Sequence, residues 1–199
     1  MTTNIWNERY SKSEYIYGEM PNVFLAEQLS KLPAGNIIFP CEGEGRNAVY
    51  AATKGWHVKA FDSSEAGKAK AMQLCAKHRI VIDYTISDAT QIDYPQNSAD
   101  VVVFIFAHFP PAVRKQIHQK AITWLKPGGK VIMEAFNPQQ LDYSSGGPKD
   151  LSMLYTSEML SDDFKSVKID TLQSLETNLD EGAFHQGKAA VIQLVATKL

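Results

Sequence analysis

The chain alternates short apolar runs with longer amphipathic stretches, the pattern of strands and helices taking turns in a mostly parallel sheet. Asn36–Pro40 (NIIFP) reads as a first strand, with Pro40 at its end because a central strand cannot spare the amide hydrogen. Asn47–Lys54 reads as a helix stopped by Gly55. His57–Phe61 (HVKAF) alternates like a second strand, and Ser64–Lys77 follows as a helix capped by Ser63 or Ser64. Ile80–Ile86 reads as a third strand. Val101–Phe106 (VVVFIF) is apolar throughout, as suits a strand covered on both faces. Pro111–Leu125 is a helix with proline in its first turn, Pro127-Gly128-Gly129 a turn, and Lys130–Phe136 a fifth strand. Gln139–Asp150 carries Ser144-Ser145-Gly146-Gly147-Pro148 and reads as a mobile loop. Thr156–Phe164 fits a helix, and Val167–Glu176 with Ala189–Thr197 a closing pair of strands. Lys68, Lys70 and Lys77 read as a solvated helix face, Trp124 and Leu125 as core. The first fifteen to twenty residues hold Trp6, Tyr10, Tyr15 and Tyr17, and so are expected to pack back on the body.

Composition narrows the class. The length of 199 residues suits one domain, and 44% hydrophobic with 21% charged residues is ordinary for a soluble globular chain. No run approaches the ~20 apolar residues of a membrane span. The first ten residues lack an apolar signal core, so a cytoplasmic protein with no membrane partner is expected. Two cysteines, Cys41 and Cys75, cannot by themselves build a disulfide framework or a zinc site. Five histidines without close spacing predict no metal. Twenty basic and 22 acidic residues, with no basic cluster, predict no nucleic-acid partner.

The candidate chemistry lies in Cys41-Glu42-Gly43-Glu44-Gly45-Arg46-Asn47, between the first strand and the first helix. A glycine turn there lets backbone approach a ligand, and the following helix offers free amide hydrogens. A tight turn that binds nothing is the plainer reading of two glycines. Asp62 closes the second strand, 17 residues after Gly45. It suits two roles, acceptor for ribose hydroxyls or cap of the next helix, and the two can coexist. Gly43-x-Gly45-x-x-Ala48 also satisfies the permissive dinucleotide fingerprint, so a nicotinamide enzyme must be weighed. A pyrophosphate beside Glu42 and Glu44 would be repelled, by about 1 kcal/mol or more for each when partly desolvated. A cationic ligand without phosphate, such as S-adenosylmethionine, reverses that sign.

Cys41 to Tyr50 (CEGEGRNAVY) resembles the first motif of class I S-adenosylmethionine-dependent methyltransferases, and Gly-Glu-Gly-Arg-Asn is similar to their tellurite-resistance and thiopurine methyltransferase-like branch. Trp6-Asn7-Glu8-Arg9-Tyr10 and Tyr17-Gly18-Glu19-Met20-Pro21 resemble that branch's N-terminal segment. Asp88-Ala89, Asp100-Val101-Val102 and Leu125-Lys126-Pro127-Gly128-Gly129 fall in the family's order. The chain departs from the motif at Phe39, where the family has an acid, and at Cys41, where it has a glycine.

The resemblance implies one methyltransferase domain over 1–199, with 1–22 an arm over the cofactor crevice. It implies a Rossmann-like, α/β fold: a seven-stranded, mostly parallel sheet with the last strand antiparallel, helices on both faces, and the crevice opening between the first and fourth strands. S-adenosyl-L-methionine would be held by Trp6, Glu42, Gly43, Gly45, Asn47, Asp62, Ser63, Asp88, Ala89 and Phe106. Glu42 would supply the carboxylate that Phe39 lacks. His108 and His185 are the catalytic candidates, though a histidine such as His108 is more often a hydrogen-bonded wall residue than a base. The expected acceptor is a small molecule, with a thiol or metalloid favoured because a soft nucleophile needs little base help. The alternatives are an NAD(P)-linked oxidoreductase and a non-catalytic S-adenosylmethionine-binding protein on the same fold.

Overall fold

Three short strands, β1 (Asn36–Pro40), β2 (His57–Asp62) and β3 (Asp83–Ile86), pair in parallel, β1 with β2 and β2 with β3. They belong to the first of two compact units, Met1–Asp93 with Glu181–Phe184. The computed structural model describes residues 2–199. Met1, the first residue of the expected arm, lies outside the described residues. The unit's helices are α1 (Thr2–Tyr10), α2 (Val23–Leu29), α3 (Arg46–Thr53) and α4 (Glu65–His78). Ile37, Ile38 and Phe39 of β1 are buried with Ala60 and Phe61 of β2, which is why those runs are continuous rather than alternating. The third strand begins at Asp83 rather than Ile80. Arg79 ends α4 in the left-handed region at φ 56°, and the Ile80 amide is spent on the Cys75 carbonyl at 3.0 Å. Three residues that look like strand therefore close a helix, and Val81 is 91% exposed.

The second unit is Tyr94–Asp180 with His185–Leu199. Here β4 (Ala99–Ile105) runs parallel to β5 (Leu125–Phe136). β7 (Gln186–Thr197) is antiparallel to both β5 and β6 (Lys168–Asp180). Two helices, α5 (Pro111–Trp124) and α6 (Ser157–Asp163), belong to this unit. Thr156 caps α6, its hydroxyl accepting from the Met159 amide at 3.2 Å. The order in the sheet is β3-β2-β1-β4-β5-β7-β6, so the seven-stranded α/β expectation holds, with β7 the antiparallel strand.

The stretch expected to be a mobile loop is pinned. Its first residues form a 3-10 turn, Pro138–Asp142. Gln140 is buried, donates to the Ser145 hydroxyl at 3.0 Å and the Gly146 carbonyl at 3.1 Å, and accepts from the Ala190 amide at 2.8 Å. Ser145 in turn donates to the Lys188 carbonyl at 2.7 Å. The Ser-Ser-Gly-Gly composition reads as mobility because it does not show that one glutamine side chain stitches the segment to β7.

Candidate functional site

The turn after β1 alternates left-handed residues: Cys41 at φ 54°, Gly43 at 59°, Gly45 at 88°. A Cβ on Gly43 would meet the Tyr10 hydroxyl at 2.6 Å, and one on Gly45 the Ala71 Cβ at 2.6 Å. The chain's own α1 and α4 therefore require these two glycines, and close approach of a ligand is not needed to explain them. Cys41 occupies the family's glycine position and keeps the backbone conformation that a glycine would take, at a cost of roughly 1–2 kcal/mol for a residue with a side chain.

Asp62 links the loop to the start of α4. One carboxylate oxygen accepts from the Gly43 amide at 3.0 Å, the other from the Ser64 amide at 2.9 Å. This places Gly43 and Asp62 at the same end of the strands. Burial raises the Asp62 pKa above the ordinary aspartate value. Of the two serines, Ser64 is the cap, accepting from the Gly67 amide at 3.0 Å, while Ser63 is half-buried beside it. Tyr84, on β3, donates to the Gly43 carbonyl at 2.6 Å. Sequence reading missed it, because an aromatic residue in a short strand signals only core.

Glu42 caps α3. Its Oε1 accepts from the amides of Asn47 at 2.9 Å and Ala48 at 2.7 Å, and removal from water pushes its pKa up to about 7. Asn47 turns its side-chain oxygen to the Asn22 amide at 2.9 Å. Glu44 does not face a ligand. It is buried, pairs with the Lys70 ammonium at 2.7 Å and accepts from the Ile16 amide at 2.9 Å. That corrects two expectations, that Lys70 lies on a solvated face and that Glu44 contributes charge to a ligand. Arg46 is likewise consumed, 2.6 Å from Glu181, which also accepts from the Asn22 side chain at 2.9 Å. The polar residues of the Gly-Glu-Gly-Arg-Asn string thus fasten residues 14–22 and 181–184 to the loop, as the aromatic N-terminus led one to expect. Trp6 stacks on Tyr10 with ring centroids 5.5 Å apart and carries the Arg9 guanidinium 4.7 Å over its ring. Asp88 is exposed and accepts from the Thr90 amide at 2.8 Å and hydroxyl at 2.6 Å, a local turn next to half-buried Ala89.

The second unit holds the other candidates. Phe106, just past β4, has φ 52°, stacks on Phe136 at 4.6 Å and meets the edge of His185 at 4.5 Å. His185 is buried, 5.3 Å from the Phe136 ring. His108 has both ring nitrogens engaged by backbone. Nδ1 lies 2.6 Å from the Met153 carbonyl and must carry the proton; Nε2 accepts from the Phe136 amide at 3.1 Å. Desolvation lowers its pKa to about 4. Both nitrogens are engaged, the arrangement of the hydrogen-bonded wall residue weighed against a catalytic role.

The donor set fits S-adenosylmethionine. Both cations near the loop, Arg46 and Lys70, are consumed by Glu181 and Glu44. Among the described residues Glu42, Asp62 and Asp88, at the ends of β1 to β3, accept from backbone amides, and Arg46 acts on Glu42 only at a distance. Such an end repels a pyrophosphate and suits a cationic ligand that carries no phosphate.

Residues 40–129 match the family model of a methyltransferase domain. No curated protein sequence matches the chain. Among solved structures, one from work on the conversion of a disulfide bond into a thioacetal group in echinomycin biosynthesis is 13% identical, covering 100% of this chain and 92% of its own at a TM-score of 0.81. TehB from Haemophilus influenzae is 16% identical, covering 99% and 67% at 0.74. A SAM-dependent methyltransferase from Methanosarcina mazei is 17% identical, covering 87% and 97% at 0.71. These likenesses show the fold, and the matched segment contains the glycine loop, Asp62 and Asp88. The match over residues 40–129, together with these folds, supports a methyltransferase whose cofactor is S-adenosylmethionine.

Proposed function

We propose that the protein methylates a small molecule through a soft nucleophile, a thiol or a metalloid oxyanion. The observation that carries this reading is His108. Both nitrogens are bound to backbone and its pKa is low, so the segment after β4 offers no imidazole base at that position. An acceptor that is already ionised near neutral pH does not need one. The neighbour from echinomycin biosynthesis acts in sulfur chemistry, which is compatible with the same class for this chain. The net charge of −2 and the pairing of Arg46 and Lys70 argue against a nucleic-acid acceptor. Cys41 and Cys75 are free thiols, in keeping with a reducing cytoplasm. Among the described residues no helix is long and apolar enough to cross a membrane.

In this reading Asp62 holds the ribose, Asp88 and Ala89 border the adenine, and Trp6 lies on the arm that covers the cofactor. The bound cofactor supplies an electrophilic methyl group. The protein contributes alignment, worth several kcal/mol when the geometry is held. The test is a turnover screen over thiols, metalloid oxyanions and small amines, read by release of S-adenosylhomocysteine. Turnover with thiols or metalloids is expected; turnover confined to amines would overturn the reading.

A further inference from the structure

In the first unit the two buried cations each hold a carboxylate, Lys70 with Glu44 at 2.7 Å and Arg46 with Glu181 at 2.6 Å. Arg9, half-buried near the end of α1, is different. Among the described residues no carboxylate lies within ion-pair distance of it, or of Lys12 just past the helix. Arg9 donates to the Tyr17 hydroxyl at 2.8 Å. Burial raises the Tyr17 pKa, so that partner is a neutral phenol and leaves the guanidinium charge uncompensated. The guanidinium lies 4.7 Å from the Trp6 ring centroid and 5.4 Å from that of Phe184. The exposed Lys12 ammonium lies 5.8 Å from the same Phe184 ring, which is itself 42% exposed. A brace for the arm would need only the ring contacts of Arg9. It does not account for a second unpaired cation on the same exposed ring.

We propose that Arg9, assisted by Lys12, is the seat for an oxyanion of the methyl acceptor, so that acceptors carrying a carboxylate, or metalloid oxyanions themselves, are selected over neutral ones. The proposal rests on the soft-nucleophile reading given above and narrows it to anions. The chemistry of the residues fits that role. A guanidinium presents a planar fork that matches an oxyanion in two parallel hydrogen bonds. Rings beside it keep water away, and a charge met there is screened less than in bulk solvent. The patch is also joined to the glycine loop. Tyr10 stacks on Trp6 with centroids 5.5 Å apart and meets Tyr17 edge-on at 6.4 Å. Its hydroxyl stands 2.6 Å from where a Gly43 Cβ would be.

Titration calorimetry on the intact protein saturated with S-adenosylhomocysteine tests the seat with 3-mercaptopropionate and its methyl ester, which share the thiol and differ in charge. The acid should bind about tenfold more tightly than the ester. Arg9→Gln should bring that ratio close to one, and Arg9→Lys should restore part of it, because the charge is kept and the fork is lost. Lys12→Gln should lower it by about two- to threefold, as suits an exposed charge. Selenite, an oxyanion without a carbon chain, should compete with the acid in the unmutated protein and not in Arg9→Gln. Equal affinities for acid and ester in the unmutated protein would overturn the proposal. So would an equal loss for both probes in Arg9→Gln, the mark of a brace for the arm. If Arg9→Gln weakened S-adenosylhomocysteine relative to 5′-methylthioadenosine, the seat would belong to the cofactor's own carboxylate and the proposal would fall. The soft-nucleophile reading fails separately, by turnover confined to amines; a retained acid-to-ester ratio would then keep the seat and change only the attacking atom.

Discussion

Around the glycine loop, buried ion pairs join side chains distant in sequence; around His108 and His118 the ring nitrogens meet backbone and one aspartate, and His118 Nε2 has no hydrogen-bond partner among the described residues. In the first region Arg46 reaches Glu181 and Lys70 reaches Glu44. In the second, His108 bonds to Met153 and Phe136 backbone, and His118 sits 2.8 Å from Asp163, which also takes Arg114 at 2.7 Å. The outcomes differ in charge. At the loop, the cations of Arg46 and Lys70 cancel against Glu181 and Glu44. In the wall, burial lowers the pKa of both histidines and keeps the surface neutral.

The contrast is broken most strongly at Arg46. Arg46→Met should destabilise the protein by about 3–5 kcal/mol, because Glu181 is left as an uncompensated buried carboxylate. Arg46→Met with Glu181→Leu should recover much of the loss, since replacing both members of a buried pair by apolar groups is often neutral. Urea unfolding measures both, and a double variant no better than the single one would mean that the pair does not act as a unit.

The wall is tested by pH. The folded His108 has a pKa of about 4 against 6.5 for the ordinary residue, so the unfolded chain binds the extra proton between those values. Its contribution is present in full above about 6.5 and is lost as pH falls towards 4. The loss is about 3 kcal/mol at most, and His108→Phe should flatten that slope, leaving only what His118 adds in the same direction. Denaturant midpoints at pH 7, 5.5 and 4.5 check this.

Asp62→Ala should weaken S-adenosylhomocysteine binding by about 1.5–3 kcal/mol through lost charge-assisted hydrogen bonds, seen by calorimetry. Since Asp62 also holds the Gly43 and Ser64 amides, some stability should go with it. A drop in melting temperature with unchanged affinity would restrict its role to the loop. The smallest effect is expected at Lys77, whose pair with Glu19 is exposed. Lys77→Ala should change stability by less than about 0.5 kcal/mol, which calibrates the buried pairs by the same assay.

The placement of the candidate site was legible in the sequence. Spacing from Gly45 to Asp62 and the order of motifs placed the loop, the β2 terminus and Asp88 at one end of the sheet. What could not be read was where each polar side chain turns. Glu44 and Glu42 stand two positions apart in one acidic loop, yet one is neutralised by Lys70 and the other caps α3. Lys70 follows Lys68 on a helix that looks solvated, yet it is buried because the arm, with Glu14 and Ile16, lies against it.

The sequence by itself determined the alternation of strand and helix, the glycine turn and the positions of the acids, because these depend on local backbone preference and on the period of apolar residues. Only the tertiary structure decided which charges remain for a ligand and which histidines can titrate. Those depend on partners up to 135 positions away, such as Glu181 for Arg46, and on burial that pairing and packing create together.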